Sequence, residues 1–284
     1  MKFSILIANY NNGKYFFDCY NSIIAQSYKD WEAIIVDDKS TDNSIELISA
    51  IVKNDARFQL VQNEENRGCG FTKNKCASLA TGAVLGFLDP DDTLVPDALE
   101  IMIKAHENNS AVSLVHSNFY FCNEKLKRTS LFNRAKAVQV DSKFINKDTA
   151  VTAFSTFKKS CYDQTVGICT SLKRAVDQDL YLKLSETGSF LFIDKPLYNY
   201  RIHFNGISTS KADHSFYWYL KVIMKAEERR QISLEDEVAQ LLNRTDPGNM
   251  EINLANPRYL ILEMIKAFRK RPRGFLKRLF LNRN

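Results

Sequence analysis

The first hundred residues alternate between short apolar runs and stretches in which apolar residues recur every three or four positions. The apolar runs, which predict strands, are FSILIAN (3–9), WEAIIVDD (31–38), FQLVQN (58–63) and AVLGFLD (83–89). The stretches between them predict helices, and the second of these begins with the capping residues Ser40, Thr41 and Asp42. Strands that are apolar throughout and alternate with helices predict an α/β fold, with a mostly parallel sheet covered by helices on both faces.

The pattern is weaker beyond residue 97 and sharpens again near residue 172. It predicts a helix over 97–109, one or two strands over 112–123, irregular polar chain over 125–148, a helix over 172–188 and a strand with its exit over 189–203. In the helix over 172–188, the spacing of Asp179 and Lys183 suggests an ion pair on the exposed face. Residues 216–244 predict two further helices, which form a C-terminal helical extension.

Composition places the chain among globular proteins, because 45% of its 284 residues are hydrophobic. The opening MKFSILIANYNN has too short an apolar run for a secretory signal or a membrane span, and no run of about 18 apolar residues follows. The six cysteines show no C-x-x-C pairing, which favours reduced thiols over a disulfide or zinc framework. We therefore expect a cytoplasmic protein.

The net charge of +6 belongs to the end of the chain. Residues 266–284 hold eight lysines and arginines and no acid, which leaves 31 basic against 33 acidic residues elsewhere. A nucleic-acid partner is therefore not expected. A basic helix with Phe275, Leu276, Leu279 and Phe280 on one side could lie on an anionic membrane surface at the inner face. The alternative is a helix docked on the domain with its charges in solvent.

Polar side chains follow the predicted strands where ligands of such sheets bind, beyond the carboxyl ends. The last residues of these strands are Ala8-Asn9-Tyr10, Asp37-Asp38, Asn63, and the cluster Asp89, Asp91 and Asp92, and three of these four groups carry side chains that can bind a polar ligand. For Asp42, capping of the following helix is the favoured interpretation. The pair at 37–38 and the cluster at 89–92 together favour a ligand site.

The stretch FLDPDDTLVP (87–96) crowds three carboxylates within four positions. An extended chain would point Asp89 and Asp91 to the same side, and a hard divalent cation would relieve their repulsion. Magnesium or manganese held by one or two carboxylates completes its shell with phosphates, which suggests a phosphorylated substrate. The alternative is an acidic turn whose bend Pro90 fixes.

Six motifs, taken in order, resemble those of family 2 glycosyltransferases over residues 1–208. They are NYNN after the first strand, VDDKSTD after the second, NRG with TKN, FLDPDD, AVDQDLYLKL and YRIH. The resemblance implies a Rossmann-like glycosyltransferase-A fold, a nucleotide-sugar donor (a UDP-sugar first), Mn²⁺ or Mg²⁺, and transfer with inversion. It further implies a saccharide or lipid-linked saccharide acceptor, as in cell-surface polysaccharide synthesis.

The same resemblance assigns roles to residues of the donor site. Asp38 matches the acid that binds the base, usually uracil, and Ala8 and Tyr10 match the rim of the base pocket. Lys73 stands close to the nucleotide, where the family often has arginine. Asp89 matches the residue for the ribose or a metal-bound water.

For metal and catalysis, Asp91 matches the direct metal ligand, and Asp92 is expected to brace the turn. Asp177 matches the catalytic base, with Val176 where the family usually has glutamate. A carboxylate is needed there to take the proton of the attacking hydroxyl, and Asp177 is preferred to Asp179. His203 after the YR strand is expected to face the metal or the diphosphate, although a lone histidine is more often structural.

These assignments divide the chain into a nucleotide-sugar-binding half (1–97), an acceptor-binding and catalytic half (98–210) and the extension (211–284). Two other functions stay open, a nucleotidyltransferase on a similar sheet and a binding module that has lost catalysis. A nucleotidyltransferase would usually carry a phosphate loop rich in glycine and arginine after the first strand, which NYNNGKY is not. A dehydrogenase is disfavoured because no G-x-G-x-x-G follows that strand, and no Walker motif exists.

Overall fold

The computed structural model describes residues 1–204 and 212–244, and the chain divides into two compact units, 1–210 and 211–284. In the first unit, the described residues form nine strands of one sheet. They are β1 (Phe3–Asn9), β2 (Trp31–Asp37), β3 (Phe58–Gln62), β4 (Val84–Phe87), β5 (Thr93–Leu94), β6 (Val112–Cys122), β7 (Arg128–Leu131), β8 (Ser155–Lys158) and β9 (Ser189–Arg201).

The helices of this unit alternate with the first strands as the sequence predicts. They are α1 (Phe16–Ile24), α2 (Ser44–Val52), α3 (Cys69–Leu79), α4 (Ala98–Asn108), α5 (Lys159–Tyr162) and α6 (Val176–Leu184). The four strands predicted in the first hundred residues are all present, each within two residues of its expected bounds.

The sheet has the strand order β3-β2-β1-β4-β8-β6-β9-β5, and β7 pairs with β6. Strands β1 to β4 are parallel, and so are β6 and β9, whereas β8 runs antiparallel between β4 and β6. The carboxyl ends of β1, β2, β3, β4, β6 and β9 therefore lie along one edge. This confirms the predicted mostly parallel sheet.

Burial on both faces explains why the strands lack polar alternation. In β1, Phe3, Ile5 and Ile7 join a core cluster with residues of α1, α2 and α4, while Leu6, which points the other way, is also fully buried. Each such apolar side chain stabilises the fold by about 1.5–3 kcal/mol relative to exposure. The sheet edge that carries the polar residues is thus supported by a core that packs on both faces of the sheet.

Two predictions need correction in the second half. The polar chain over 125–148 is not irregular throughout, since it contains β7, and strand β8 has no counterpart among the predicted elements. The helix predicted over 172–188 begins only at Val176, because Ala175 takes a left-handed conformation (φ +55°) that ends the preceding turn. Residues 112–123 form one strand, β6.

The second unit contributes α7 (Ala212–Arg230) and α8 (Glu235–Arg244), which confirms the two helices predicted over 216–244. The basic segment 266–284 lies outside the described residues. Over residues 1–204 and 212–244, no helix combines the length and the apolar character that crossing a membrane requires.

Candidate active site

Register brings the polar strand ends together. Asn9 pairs with Asp37 across β1 and β2, and Asp37 pairs with Gln62 across β2 and β3. The next residues continue the ladder, since the amide of Asp38 donates to the Asn9 carbonyl and that of Asn63 to the Asp37 carbonyl, both at 2.8 Å. Four residue positions that the sequence singled out therefore meet at one edge.

Asp37 and Asp38 make different contacts although they are neighbours. The Asp37 carboxylate is fully buried and accepts hydrogen bonds from the Asn9 amide (2.7 Å), from Ser40 and from the Gln62 amide (3.1 Å). These bonds join β1 to the turn before α2, so Asp37 has a structural role.

The Asp38 carboxylate holds the turn that leads into α3. It accepts from the Asn63 side chain (2.8 Å) and from the backbone amides of Arg67 (2.9 Å) and Gly68 (2.7 Å). Gly68 has φ +84°, a conformation that favours glycine. Asp38 is buried, and these three bonds use most of the about four acceptor positions that a carboxylate offers.

Ala8 and Tyr10 flank Asn9 at the end of β1. Ala8 is half-buried, and Tyr10 keeps 44% of its surface exposed. An exposed aromatic ring beside a strand end is suited to stack on a flat ring of a ligand. That these two residues form the rim of a base pocket, as the resemblance implies, stays a prediction.

Asp92 is buried and braces the turn after β4. Its carboxylate accepts from the Tyr198 hydroxyl at 2.6 Å and from the Arg201 backbone amide at 2.7 Å. Burial, together with the nearby charges of Asp91 and Asp89, raises the pKa of Asp92 well above its ordinary value. These contacts agree with the bracing role expected from the sequence.

Asp91 and His203 lie in direct contact. His203 Nε2 is 2.8 Å from Asp91 Oδ2, and the imidazole packs on the Tyr15 ring with 4.5 Å between centroids. The backbone of Asp91 is also held, since its carbonyl accepts from Arg201 Nε at 2.6 Å. The structure therefore joins the two predicted metal ligands, which are 112 residues apart in the chain.

The donor set fits a divalent cation that takes part of its shell from a ligand. A carboxylate and an imidazole suit manganese, and the Asp89 side chain beside them is 47% exposed. Within the residues described, no group of three or more His, Cys, Asp or Glu side chains could hold a metal by themselves. The remaining ligands would have to be phosphate or water oxygens.

Lys73 links the acidic cluster to α6. Its Nζ donates to Asp177 Oδ1 at 2.7 Å and lies 3.9 Å from Asp89 Oδ1. Burial lowers the pKa of Lys73, but the charges of Asp177 and Asp89 outweigh it, and the pKa is raised well above its ordinary value. Lys73 is therefore a fixed cation between two of the predicted site residues.

Asp89 has a pKa raised to about 6. Burial is the main cause, Lys73 opposes it, and the charges of Asp91 and Asp177 add to it. Because nearly half of the side chain is open to solvent, water offsets part of this effect. The negative charges around Asp89 favour the binding of a cation beside it.

Asp177 and Asp179 differ in environment although both lie in the first turn of α6. The Asp177 side chain is 51% exposed, whereas Asp179 is buried and pairs with Lys183 at 2.6 Å. The predicted Asp179–Lys183 pair is thus confirmed, but its expected position on the exposed face is wrong. Val176 is also buried, so it packs in the core beside Asp177.

Arg201 is a residue of the site that sequence reasoning missed. Its guanidinium donates to the Asp18 carboxylate (2.8 Å) and to the Glu124 carbonyl (2.7 Å), besides the Asp91 carbonyl, and stacks on Tyr15 (4.7 Å to the ring centroid). A single arginine at the end of a partly apolar strand was the available signal. The motif YRIH contains this arginine, but the resemblance assigns a role only to its histidine.

Comparison with known proteins gives a consistent picture. Residues 4–166 match the profile described as glycosyl transferase family 2. The chondroitin synthase of Escherichia coli is 31% identical over 230 residues, which are 80% of this chain and 32% of that protein. A hyaluronan synthase of Pasteurella multocida is 27% identical over 260 residues, 88% of this chain and 26% of that protein. The chain thus spans about a third or less of the length of these relatives.

Solved structures agree at the level of the fold. Staphylococcus aureus TarS (residues 1–349) in complex with UDP-GlcNAc superimposes with a TM-score of 0.70 at 21% identity, covering 86% of this chain and 72% of that one. The mannosyltransferase PcManGT from Pyrobaculum calidifontis, in complex with GDP-Man and Mn²⁺, gives 0.61 at 14% identity, covering 95% and 82%. These similarities confirm the expected glycosyltransferase-A architecture.

Proposed function

Because the chain belongs to glycosyltransferase family 2 and is therefore a glycosyltransferase, we propose that it moves a sugar from a nucleoside-diphosphate donor to a hydroxyl of a saccharide or lipid-linked saccharide, with inversion. The observation that supports this most is the Lys73 ammonium, placed between Asp89 (3.9 Å) and Asp177 (2.7 Å). It brings the acidic strand end and the first turn of α6 into one site.

A UDP-sugar is the donor we favour. TarS is described with UDP-GlcNAc. In this chain, the rim of the base pocket would be formed by Ala8 and Tyr10, whose ring could stack on uracil, and the Asp38 carboxylate would accept from the NH of uracil. Asp38 would also act indirectly, by fixing the turn at Arg67 and Gly68. Asp89 would bind the ribose or a metal-bound water.

The diphosphate would lie at the Asp91–His203 pair, which would hold Mn²⁺ or Mg²⁺. When bound, such an ion supplies charge neutralisation for the departing nucleoside diphosphate. Arg201 holds the Asp91 backbone in place for this purpose, and Tyr15 supports the His203 ring. PcManGT, which has this fold, is described with Mn²⁺.

Asp177 is the base in this mechanism. Direct displacement requires a carboxylate within hydrogen-bond reach of the attacking hydroxyl, and Asp177 is the half-exposed carboxylate of the α6 first turn. An oxygen of the Asp177 carboxylate would accept the proton, and Lys73 orients this carboxylate. Asp179 cannot take this role, because its carboxylate is buried against Lys183.

We also propose that the enzyme works in the cytoplasm on cell-surface polysaccharide. The segment 266–284 would bring it to the inner face of the membrane, where lipid-linked acceptors lie. Nucleic acid is not among the proposed partners, because the charge outside that segment is nearly balanced.

The test is calorimetric titration with UDP, GDP, dTDP and CMP, each with and without manganese, followed by a transfer assay with sugars of the nucleotide that binds. We expect metal-dependent binding of UDP, lost in Asp91→Ala and kept in Asp163→Ala, an exposed carboxylate that pairs with Lys159. Binding of none of the four by folded protein would contradict the proposed donor site.

A further inference from the structure

A stretch of unbalanced positive charge lies in the first unit. Residues 124–148, here called the basic loop, hold seven lysines and arginines and three acidic residues, whereas the rest of 1–204 holds 17 basic against 21 acidic residues. A charge run of this kind is often only a solvated surface, so its position relative to the site decides its meaning.

Six of the seven cations of the basic loop are exposed to solvent. Lys125, Lys127, Arg128 and Arg134 are exposed, and within the described part of the chain none of the four forms an ion pair. Lys136 reaches Asp148 only at 4.0 Å. These side chains are therefore available to an anionic partner.

Arg128 is held in a fixed orientation. Its guanidinium lies 4.3 Å from the centroid of the Tyr120 ring, and its Nε donates to the Asn199 side chain at 3.0 Å. A planar guanidinium of this kind suits a carboxylate, to which it can donate two parallel hydrogen bonds. The neighbouring Tyr120 ring and the exposed Leu131 offer apolar surface to a sugar.

The start of the basic loop is fixed beside the acidic cluster. The Glu124 carbonyl accepts from Arg201 Nη1 at 2.7 Å, and its carboxylate accepts from the Tyr15 hydroxyl at 3.0 Å. Both partners belong to the site, because Arg201 holds Asp91 and Asp92 and Tyr15 supports His203.

The far part of the loop is fixed beside Asp177. The Asn146 side chain donates to Gln178 Oε1 at 3.0 Å, and its own oxygen accepts from the Val151 amide at 2.9 Å. Gln178 directly follows Asp177 in α6. The basic loop therefore passes from the Asp91–His203 side of the site to the Asp177 side.

We propose that the basic loop recognises an anionic saccharide acceptor, one that carries carboxylates on the sugars near the reacting hydroxyl. The inference rests on the proposed function and names its acceptor class. A chain that delivers a hydroxyl to Asp177 passes along the loop that is anchored beside Asp177, and carboxylates on it would meet Lys125, Lys127, Arg128 and Arg134. A membrane surface is a different partner, and it serves as a contrary outcome below.

The test measures binding of a hyaluronan hexasaccharide and of the same hexasaccharide with its carboxylates reduced to alcohols. Three samples are compared, the wild type, the triple variant K125Q/K127Q/R134Q, and a control triple variant K29Q/K53Q/K104Q at exposed lysines outside the loop. UDP affinity is measured on the same samples, so that failure of the donor site is seen separately.

We expect the wild type and the control variant to bind the anionic hexasaccharide at least tenfold more tightly than the reduced one. The loop variant should lose this preference, and raising the salt concentration should weaken it in the wild type. UDP affinity should be equal in all three samples.

Equal or absent binding of the two hexasaccharides to a wild type that binds UDP would overturn the inference and leave the proposed function standing. An equal loss in the control variant would overturn it too, since net charge alone would then explain the binding. Loop-dependent binding to phosphatidylglycerol vesicles, without binding of the hexasaccharide, would assign the loop to a membrane instead. Failure to bind UDP would count against the proposed function itself.

Discussion

The Lys73 ammonium donates to the Asp177 carboxylate at 2.7 Å, across 104 positions of the chain. Lys73 belongs to α3, which follows β3 in the chain, and Asp177 belongs to α6. Next to this pair, α3 also contacts the segment that precedes α6, because the Gly70 amide donates to the Leu172 carbonyl at 3.0 Å and a Cβ at Gly70 would come within 2.5 Å of that oxygen. The position of the proposed base therefore depends on α3.

Replacing Lys73 by methionine keeps most of the side chain and removes its charge. We expect kcat to fall roughly 10- to 100-fold, because the Asp177 carboxylate loses the group that orients it and small displacements of a reacting group are costly. Lys73→Arg should recover part of the loss. Initial rates give kcat, and a thermal melt checks the fold. Lys53→Met, at an exposed lysine of the same half, should match the wild type, and an unchanged kcat in Lys73→Met would refute the positioning role.

Replacing Asp177 by asparagine removes the base while keeping the shape of the side chain. We expect kcat to fall by a factor of about 10² to 10⁴, the usual contribution of general-base catalysis. UDP affinity, measured by calorimetry, should stay within twofold, because the proposed contacts to the nucleotide lie on other residues. Asp163→Asn serves as the matched control at an exposed carboxylate. Full transfer by the Asp177 variant would sink its assignment as base.

Asp179, two positions further on, should affect stability rather than donor binding. Asp179→Ala would leave the buried Lys183 without its carboxylate partner and with only the Gly167 carbonyl as acceptor, and we expect the free energy of unfolding to fall by about 3–5 kcal/mol. The double variant Asp179→Leu with Lys183→Met should recover most of this loss, since apolar residues of similar volume can replace a buried pair.

Urea denaturation measures both Asp179 variants. Glu100→Ala, which removes an exposed pair with Lys104 at the same i,i+4 spacing, should lower the free energy of unfolding far less than Asp179→Ala does. If Asp179→Ala lowered the free energy of unfolding no more than Glu100→Ala does, burial of the Asp179–Lys183 pair would add nothing to the stability of the fold.

The sequence was informative where local pattern and structure agree. The strands around Ile5 and Ile35 were recognisable because both faces of the sheet are buried, and the turn at Asp89 because its carboxylates are crowded. Asp179 was misplaced because i,i+4 spacing is the same on a buried face and an exposed one. Lys73 was expected near the nucleotide, but its contact with Asp177 depends on how α3 meets α6, which no local pattern records. The same limit hid β8, an inserted antiparallel strand of only four residues.

The segment 266–284 lies outside the described residues, and its role stays a prediction from sequence. Deleting it should move the protein from the pellet to the supernatant when it is spun with vesicles that contain phosphatidylglycerol, because each basic residue near an anionic surface adds about 1 kcal/mol of attraction. Phosphatidylcholine vesicles are the control and should bind the full chain far less. An unchanged distribution after the deletion would count against membrane contact through this segment.

His116 offers a test of how stability depends on pH. It lies in β6, fully buried, with its ring 5.0 Å from that of Phe192, and among the described residues neither ring nitrogen has a hydrogen-bond partner. Burial lowers the pKa of His116 from 6.5 to about 4. Between these two pH values the unfolded chain binds a proton that the folded chain does not, so the stability due to neutral His116 is present above pH 6.5 and is lost as the pH falls toward 4.

His116→Leu removes this proton uptake and places an apolar side chain in an apolar site. Between pH 6.5 and 4, we expect the free energy of unfolding of the variant to fall by less than that of the wild type, with a difference on the order of 2–3 kcal/mol. His106 is retained in both proteins, and its pKa is likewise lowered to about 4, by burial and by Lys158, so a residual slope should persist. Urea denaturation at several pH values gives the two curves. Parallel curves would mean that His116 is protonated as readily in the folded chain as in the unfolded one, which its burial without a hydrogen-bond partner argues against.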